Sequence, residues 1–166
     1  MELKTRTNQP VEGDEIVNLK VTGQAKLFEN IVDADGHNRF VEGNGNFTAL
    51  SGEFEITYNK WSLSGTHLML VLAGTVKAGT SIGRANNQTS FYALPAYILS
   101  KIKPLVGNNY IEYKAFTAYV NESNVMTGKT LLGKSSNGVY IRFTGGGNVD
   151  VDRTFRIQYD LLIDDE

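Results

Sequence analysis

The chain has 166 residues and no cysteine, which excludes disulfide staples, thiol nucleophiles and cysteine-ligated zinc together. Folding must rest on packing. An excess of one charge is missing too: 16 lysines and arginines face 18 aspartates and glutamates, a formal net charge of -2. No global field gathers a polyanion, so nucleic acid is not an expected partner. No apolar run approaches the roughly 18 residues of a membrane-spanning helix, and membrane insertion is not expected. The opening MELKTRTNQPVEGDE is polar and has no apolar signal region, which gives the expectation of a product made soluble in the cytoplasm. Proline numbers only 3, whereas glycine numbers 17 and falls between short apolar runs, as turn residues do. With 41% hydrophobic and 20% charged residues the composition is globular, and the length suits one domain or a domain with a small appendage.

What is present is alternation. Val17, Leu19 and Val21 alternate with polar residues, and Phe28, Ile31 and Phe40 flank VDADGHNR with its Asp35-Gly36 turn. Residues 15–42 therefore read as two or three short strands. EGNGNFTALSG, residues 42–52, lacks periodicity and reads as a hinge, dividing the chain into segments 1–46 and 47–166. Beyond it Phe54, Ile56 and Tyr58 alternate with Glu53, Glu55 and Thr57, ahead of Asn59-Lys60. Leu68 to Ala73 carries no polar side chain; six residues between glycines are too few for a stable helix and predict a central strand covered on both faces. LPAYILSKIKPL, residues 94–105, fits either one helical turn opened by Pro95 and stopped by Pro104, or an extended connection.

Three strands are predicted after it. Ile111, Tyr113, Ala115, Thr117 and Tyr119 share one face of residues 110–120, with Phe116, Ala118 and Val120 on the other. Val139, Ile141 and Phe143 form the next, and Phe155, Ile157, Tyr159, Leu161 and Ile163 the last, with turns at Asn137-Gly138 and Gly145–Gly147. The fold class expected is all-β: an antiparallel β-sandwich, jelly-roll-like, with at most one short helix.

No enzyme is expected. Asp33, Asp35 and Asn38 in DADGHN superficially suggest a calcium loop, but the later ligands and flanking helices are missing, and an aspartate-capped turn explains the same letters. His37 and His67 lack the spacing of a metal or catalytic pair, His67 reading as a structural residue at the mouth of the buried strand. Ser62, Ser64 and Ser81 occupy no nucleophile motif. No cofactor is implied. What remains is aromatic and polar: Tyr110, Tyr113, Tyr119, Asn121, Asn124, Tyr140 and Arg142. Rings stack on the C–H faces of sugars while amide and guanidinium groups bond hydroxyls, so these residues are candidates for a saccharide site. Tyrosine also favours strands, and half of such rings belong in a core.

The order of TYNKWSLSGTHLMLVLAGTVKAGTSI, LPAYILSKIKPL and the terminal FRIQYDLLID resembles the head region of receptor-binding and baseplate proteins from tailed phages of Gram-positive bacteria. The likeness is one of layout and covers residues 47–166. It implies β-sandwich heads that associate as homotrimers at the tail tip of the virion, meet other tail and baseplate proteins, and bind host cell-wall polysaccharide or teichoic acid. Residues 1–46 would then serve as neck or attachment. The heptads and collagen-like repeats of longer members are absent from MELKTRTNQPVEGDEIVNLKV. The alternative is a structural baseplate or tail adaptor that binds no glycan.

Overall fold

The computed structural model describes residues 37–84, 87–104, 109–121 and 123–163. The strands expected around Val17–Val21 and Phe28–Ile31, and the carboxylates Asp33 and Asp35, lie outside the described residues. The chain forms two compact units, Met1–Phe40 and Val41–Glu166. In chain order the described elements are β1 (Phe40–Asn44), β2 (Asn46–Thr48), β3 (Phe54–Ser64), β4 (His67–Val76), β5 (Ser81–Ile82), β6 (Thr89–Ala93), helix α1 (Ala96–Lys101), β7 (Tyr110–Asn121), β8 (Asn124–Ser135), β9 (Gly138–Gly145), β10 (Gly147–Asn148) and β11 (Arg153–Leu162). The all-β antiparallel class is what the chain adopts, with one short helix among the described residues.

One nine-stranded sheet runs β1-β3-β4-β11-β7-β8-β9-β6-β2, and β5 pairs with β10 separately. Its two end strands are neighbours in the chain, so the sheet rolls round on itself into a nearly closed, barrel-like sandwich. Gly45, between β1 and β2, donates its N–H to the Asn59 carbonyl of β3 at 2.9 Å across that seam. On the far side β7 and β11 pair only at Thr154/Tyr119 and Phe155/Ala118 before they part. Two layers result, β1-β3-β4-β11 and β7-β8-β9-β6-β2. Residues 42–52, read as a hinge, thus carry the end of β1 and all of β2, the strands that flank the seam.

β4 behaves as its apolar run predicts. It lies between β3 and β11; Leu68, Leu70 and Leu72 are fully buried in the core, and Val71, on the other face, is buried as well. Five phenylalanines weld the layers together. Phe143 of β9 lies 5.1 Å from Phe116, 5.2 Å from Phe54, 5.6 Å from Phe155 and 6.4 Å from Phe47, in tilted or edge-on contacts. Tyr159 of β11 is buried in the same core, its hydroxyl 2.8 Å from that of Thr130.

Bulges account for two departures from simple alternation. β3 does not end at Asn59-Lys60 but stays paired with β4 as far as Ser64, and its register shifts between Ile56 and Tyr58. Phe54, Ile56, Trp61 and Leu63 therefore share the inner face although their numbers change parity, and Tyr58 is exposed. A second shift between Tyr110 and Glu112 turns Ile111 inward with Phe116 and Ala118, leaving Tyr113 and Tyr119 outside. The choice at residues 94–105 resolves as a helix: the Pro95 carbonyl accepts from Ile98 and Leu99, both at 3.0 Å, and Ile98 and Leu99 are buried. His67 is exposed at the start of β4, opposite Ser64 and Leu162, and takes no part in the core.

Candidate functional site

The outer face of β7, β8 and β9 holds two cross-strand rows. One runs from Tyr113 through Leu131 to Arg142, the other from Tyr110 through Gly133 to Tyr140. Directly opposed residues of antiparallel strands share a face, so these side chains stand together. The rings of Tyr110 and Tyr113 meet edge-on at 6.0 Å. Gly133 has no side chain, and a Cβ there would collide with the Tyr140 ring, which lies over this position. Arg142 lies with its guanidinium 5.1 Å from the Tyr140 ring centroid and donates to the Tyr140 hydroxyl at 3.3 Å. Leu131 is nearly fully covered by this outer cluster, although it belongs to no part of the inner core.

Between these side chains opens a shallow pocket of about 270 Å³, lined by Tyr110, Tyr113, Leu131, Arg142, Phe143 and Thr144, with Gly83 as its far wall. Tyr113 is 57% and Tyr110 37% exposed. Among the described lining residues Arg142 carries the one charge, and no carboxylate or side-chain amide lines the space. Such a lining is rich in donors and in flat apolar surface, and it suits a ligand that offers acceptors beside a C–H face.

Four of the seven candidate residues thus come together: Tyr110, Tyr113, Tyr140 and Arg142. Tyr119, Asn121 and Asn124 do not join them. Tyr119 lies nine residues beyond Tyr110 on β7, roughly 30 Å away at about 3.3 Å per residue. It is exposed, paired with Val125, and its carbonyl accepts from the Thr154 hydroxyl at 3.2 Å. Asn121 caps the β7–β8 turn, its Oδ1 accepting from the N–H groups of Ser123 at 3.0 Å and Asn124 at 3.1 Å. Asn124 in turn accepts from buried Arg153 through Oδ1 at 2.7 Å.

Sequence reasoning left residues 124–135 without an element, yet β8 supplies the floor of the pocket. NVMTGKTLLGKS does not alternate cleanly, because Gly128 and Gly133 stand where rings from neighbouring strands lie across it. A glycine opposite a tyrosine was the available signal, and it becomes readable only once the register is known.

The gap where β7 leaves β11 is closed by Lys114. Its ammonium donates to the Gln158 carbonyl at 2.7 Å and sits 5.5 Å over the Tyr159 ring. Burial pushes the Tyr159 hydroxyl up to about 12, against the opposing effect of the Thr130 hydrogen bond and with a smaller contribution from Glu112. Among the described residues no group of three or more metal-binding side chains converges.

No protein-family model matches the chain, and no curated protein sequence matches it. Among solved structures, the bovine atadenovirus type 4 fibre head protein aligns with a TM-score of 0.36 and 13% identity, over 74% of this chain and 99% of that one. The reovirus attachment protein sigma1, solved with alpha-2,3-sialyllactose, aligns with a TM-score of 0.36 and 8% identity, over 74% of this chain and 65% of that one. A likeness of that order assigns no function to this chain, whose own residues must carry it.

Proposed function

We propose that this protein is a receptor-binding component of a virus particle and that the Tyr110–Tyr113–Tyr140–Arg142 face is its recognition surface. In the finer reading it is a phage tail protein of the tail tip or baseplate that recognises host cell-wall saccharide during adsorption. The observation that carries this is the exposed tyrosine pair beside a guanidinium over a covered leucine floor. Exposed rings on a rigid sheet stack on sugar faces at little entropic cost, and Arg142 bonds hydroxyl, carboxylate or phosphate oxygens. Among wall polymers, teichoic acid offers the acceptors that a lining without carboxylates favours. The protein acts by binding, without catalysis or cofactor. Residues 1–46 serve as attachment to other tail proteins, and a homotrimer is the expected assembly, checked by light scattering at micromolar concentration.

The experiment is a pull-down of purified protein on host cells and on isolated wall polysaccharide, with Tyr113→Ala and Arg142→Ala beside the wild type. Loss of binding in both variants with an unchanged oligomer supports recognition. Absence of wild-type binding to cells that the intact particle adsorbs refutes it. A structural adaptor is the second reading, favoured by one observation: outward residues Tyr113, Ala115, Thr117 and Tyr119 continue along β7 as an uncharged stripe. Loss of the oligomer, with binding never present, decides for the adaptor.

A further inference from the structure

One lining residue, Gly83, directly follows β5, which pairs with β10, and the turn that carries it is fastened in addition by a buried amide. Gln88 is 1% exposed. Its Oε1 accepts from the Gly83 N–H at 2.8 Å, and its Nε2 donates to the Ser81 carbonyl at 3.0 Å and to Glu53 Oε2 at 3.3 Å. Its backbone carbonyl accepts from the Phe143 N–H at 3.0 Å. One residue thus ties together Gly83 and Phe143, which line the pocket from two different elements. Glu53 extends the tie by pairing with Arg84 at 2.9 Å. Gly83 adopts a φ of +82° and presses against the backbone of β9: a Cβ there would lie 2.7 Å from the Thr144 carbonyl carbon. The contact therefore has no room for a side chain, and no flexible group is present to yield.

We propose that Gln88 is the positioning residue of the pocket: it docks the Ser81–Arg84 loop onto β9 and so sets the distance between Gly83 and the Tyr113–Arg142 row. The proposal rests on the reading of that pocket as the ligand site, but its geometric half stands independently. A fully buried amide with both ends satisfied holds a loop far more firmly than a surface ion pair, because an unpaired N–H or C=O in the interior carries the full desolvation penalty. Nothing in the strand pattern requires a polar group here; the loop does.

The test compares wild type, Gln88→Met and Gln88→Glu. Methionine keeps the length and removes both ends of the tie. Glutamate keeps the acceptor for Gly83 but loses the donor and faces Glu53, and it serves as the second variant should methionine fail to fold. Amide exchange is expected to accelerate at Gly83 by about tenfold or more in Gln88→Met, with the β4 amides of Leu70 and Leu72 unchanged and the side-chain resonances of Tyr113 and Arg142 shifted. Affinity for isolated wall teichoic acid and neutral wall polysaccharide, measured well below the melting temperature, is expected to fall by about tenfold for whichever fraction the wild type binds. Unchanged Gly83 exchange and unchanged Tyr113 and Arg142 resonances overturn the positioning role. So does a faster exchange that leaves affinity intact, because the residue would then be structural alone. If the wild type binds neither fraction while the resonances still move, the saccharide reading falls and Gln88 remains the residue that shapes the pocket.

Discussion

Two outer faces of the same sandwich, that of β7-β8-β9 and that of β3-β4-β11, arise from the same alternation and carry opposite surfaces. On β11, Arg156 donates to Gln158 at 3.2 Å and Gln158 donates to Asp160 at 3.1 Å, while on β3 the Lys60 ammonium lies 5.8 Å over Tyr58. This is a solvated face whose polar groups answer one another along the strand. At the Tyr110 end of β7-β8-β9 the outward residues are rings, a glycine that makes room for a ring, a covered leucine and one guanidinium. Period two decides which residues point outward. What an outward face recognises depends on the rows across strands, and those rows are absent from any single segment.

The sharpest way to break this contrast is to remove what both faces share. Phe143→Ala opens the ring cluster that joins the layers and is expected to lower stability by about 3–5 kcal/mol in urea denaturation; a loss below about 1 kcal/mol would mean that the layers do not depend on one core. Gly133→Ala comes next. Its methyl displaces the Tyr140 ring and with it Arg142, costing about 1–3 kcal/mol, and wall-polysaccharide binding should fall alongside; retained binding would separate the Tyr140 row from recognition. Tyr113→Ala should weaken binding by about 0.5–1.5 kcal/mol, up to roughly tenfold, with the denaturation midpoint almost unmoved. Arg156→Ala, on the opposite face, should change neither stability nor binding by more than about 0.5 kcal/mol. Equal effects at Tyr113 and Arg156 would erase the distinction.

The gentlest probe is acid. The Ala78 N–H at 2.9 Å, and then the Lys77 ammonium at 3.1 Å, hold the Asp152 carboxyl below its ordinary 3.8. The folded chain therefore binds this proton less readily than the unfolded chain. The stabilisation is present above pH 3.8 and is lost as the pH falls below it. Asp152→Asn should flatten the acid limb of the stability profile measured between about pH 5 and 2, leaving neutral-pH binding at the Tyr113 face untouched. Parallel acid limbs in the two proteins would refute the linkage.

Much of the wall was legible beforehand. Leu68, Leu70 and Leu72 announced a buried central strand and the alternation from Phe155 to Ile163 announced β11, whereas Pro95 allowed a helix without deciding between it and an extended connection. Tyr58 and Ile111 misled simple counting, because a bulge changes face without leaving any mark on composition. Of the candidate site, Tyr110, Tyr113, Tyr140 and Arg142 were visible as residue types. Tyr119 and Asn121 looked equivalent to them, since distance along a strand does not reveal that one end of β7 holds a pocket and the other a capped turn. Gln88 was invisible because its partners, Glu53, Ser81 and Gly83, are assembled only by the fold.

The amino-acid order by itself determined that this chain makes antiparallel strands, which faces carry most of their apolar side chains, and that no cysteine chemistry operates in it. Those are local consequences of side-chain period and type, settled within a few residues. Register, closure of the sheet and the meeting of Tyr113, Gly133 and Arg142 were decided only in three dimensions. They depend on pairing energies summed between segments far apart in the chain, and a shift of one residue would have turned the same rings inward.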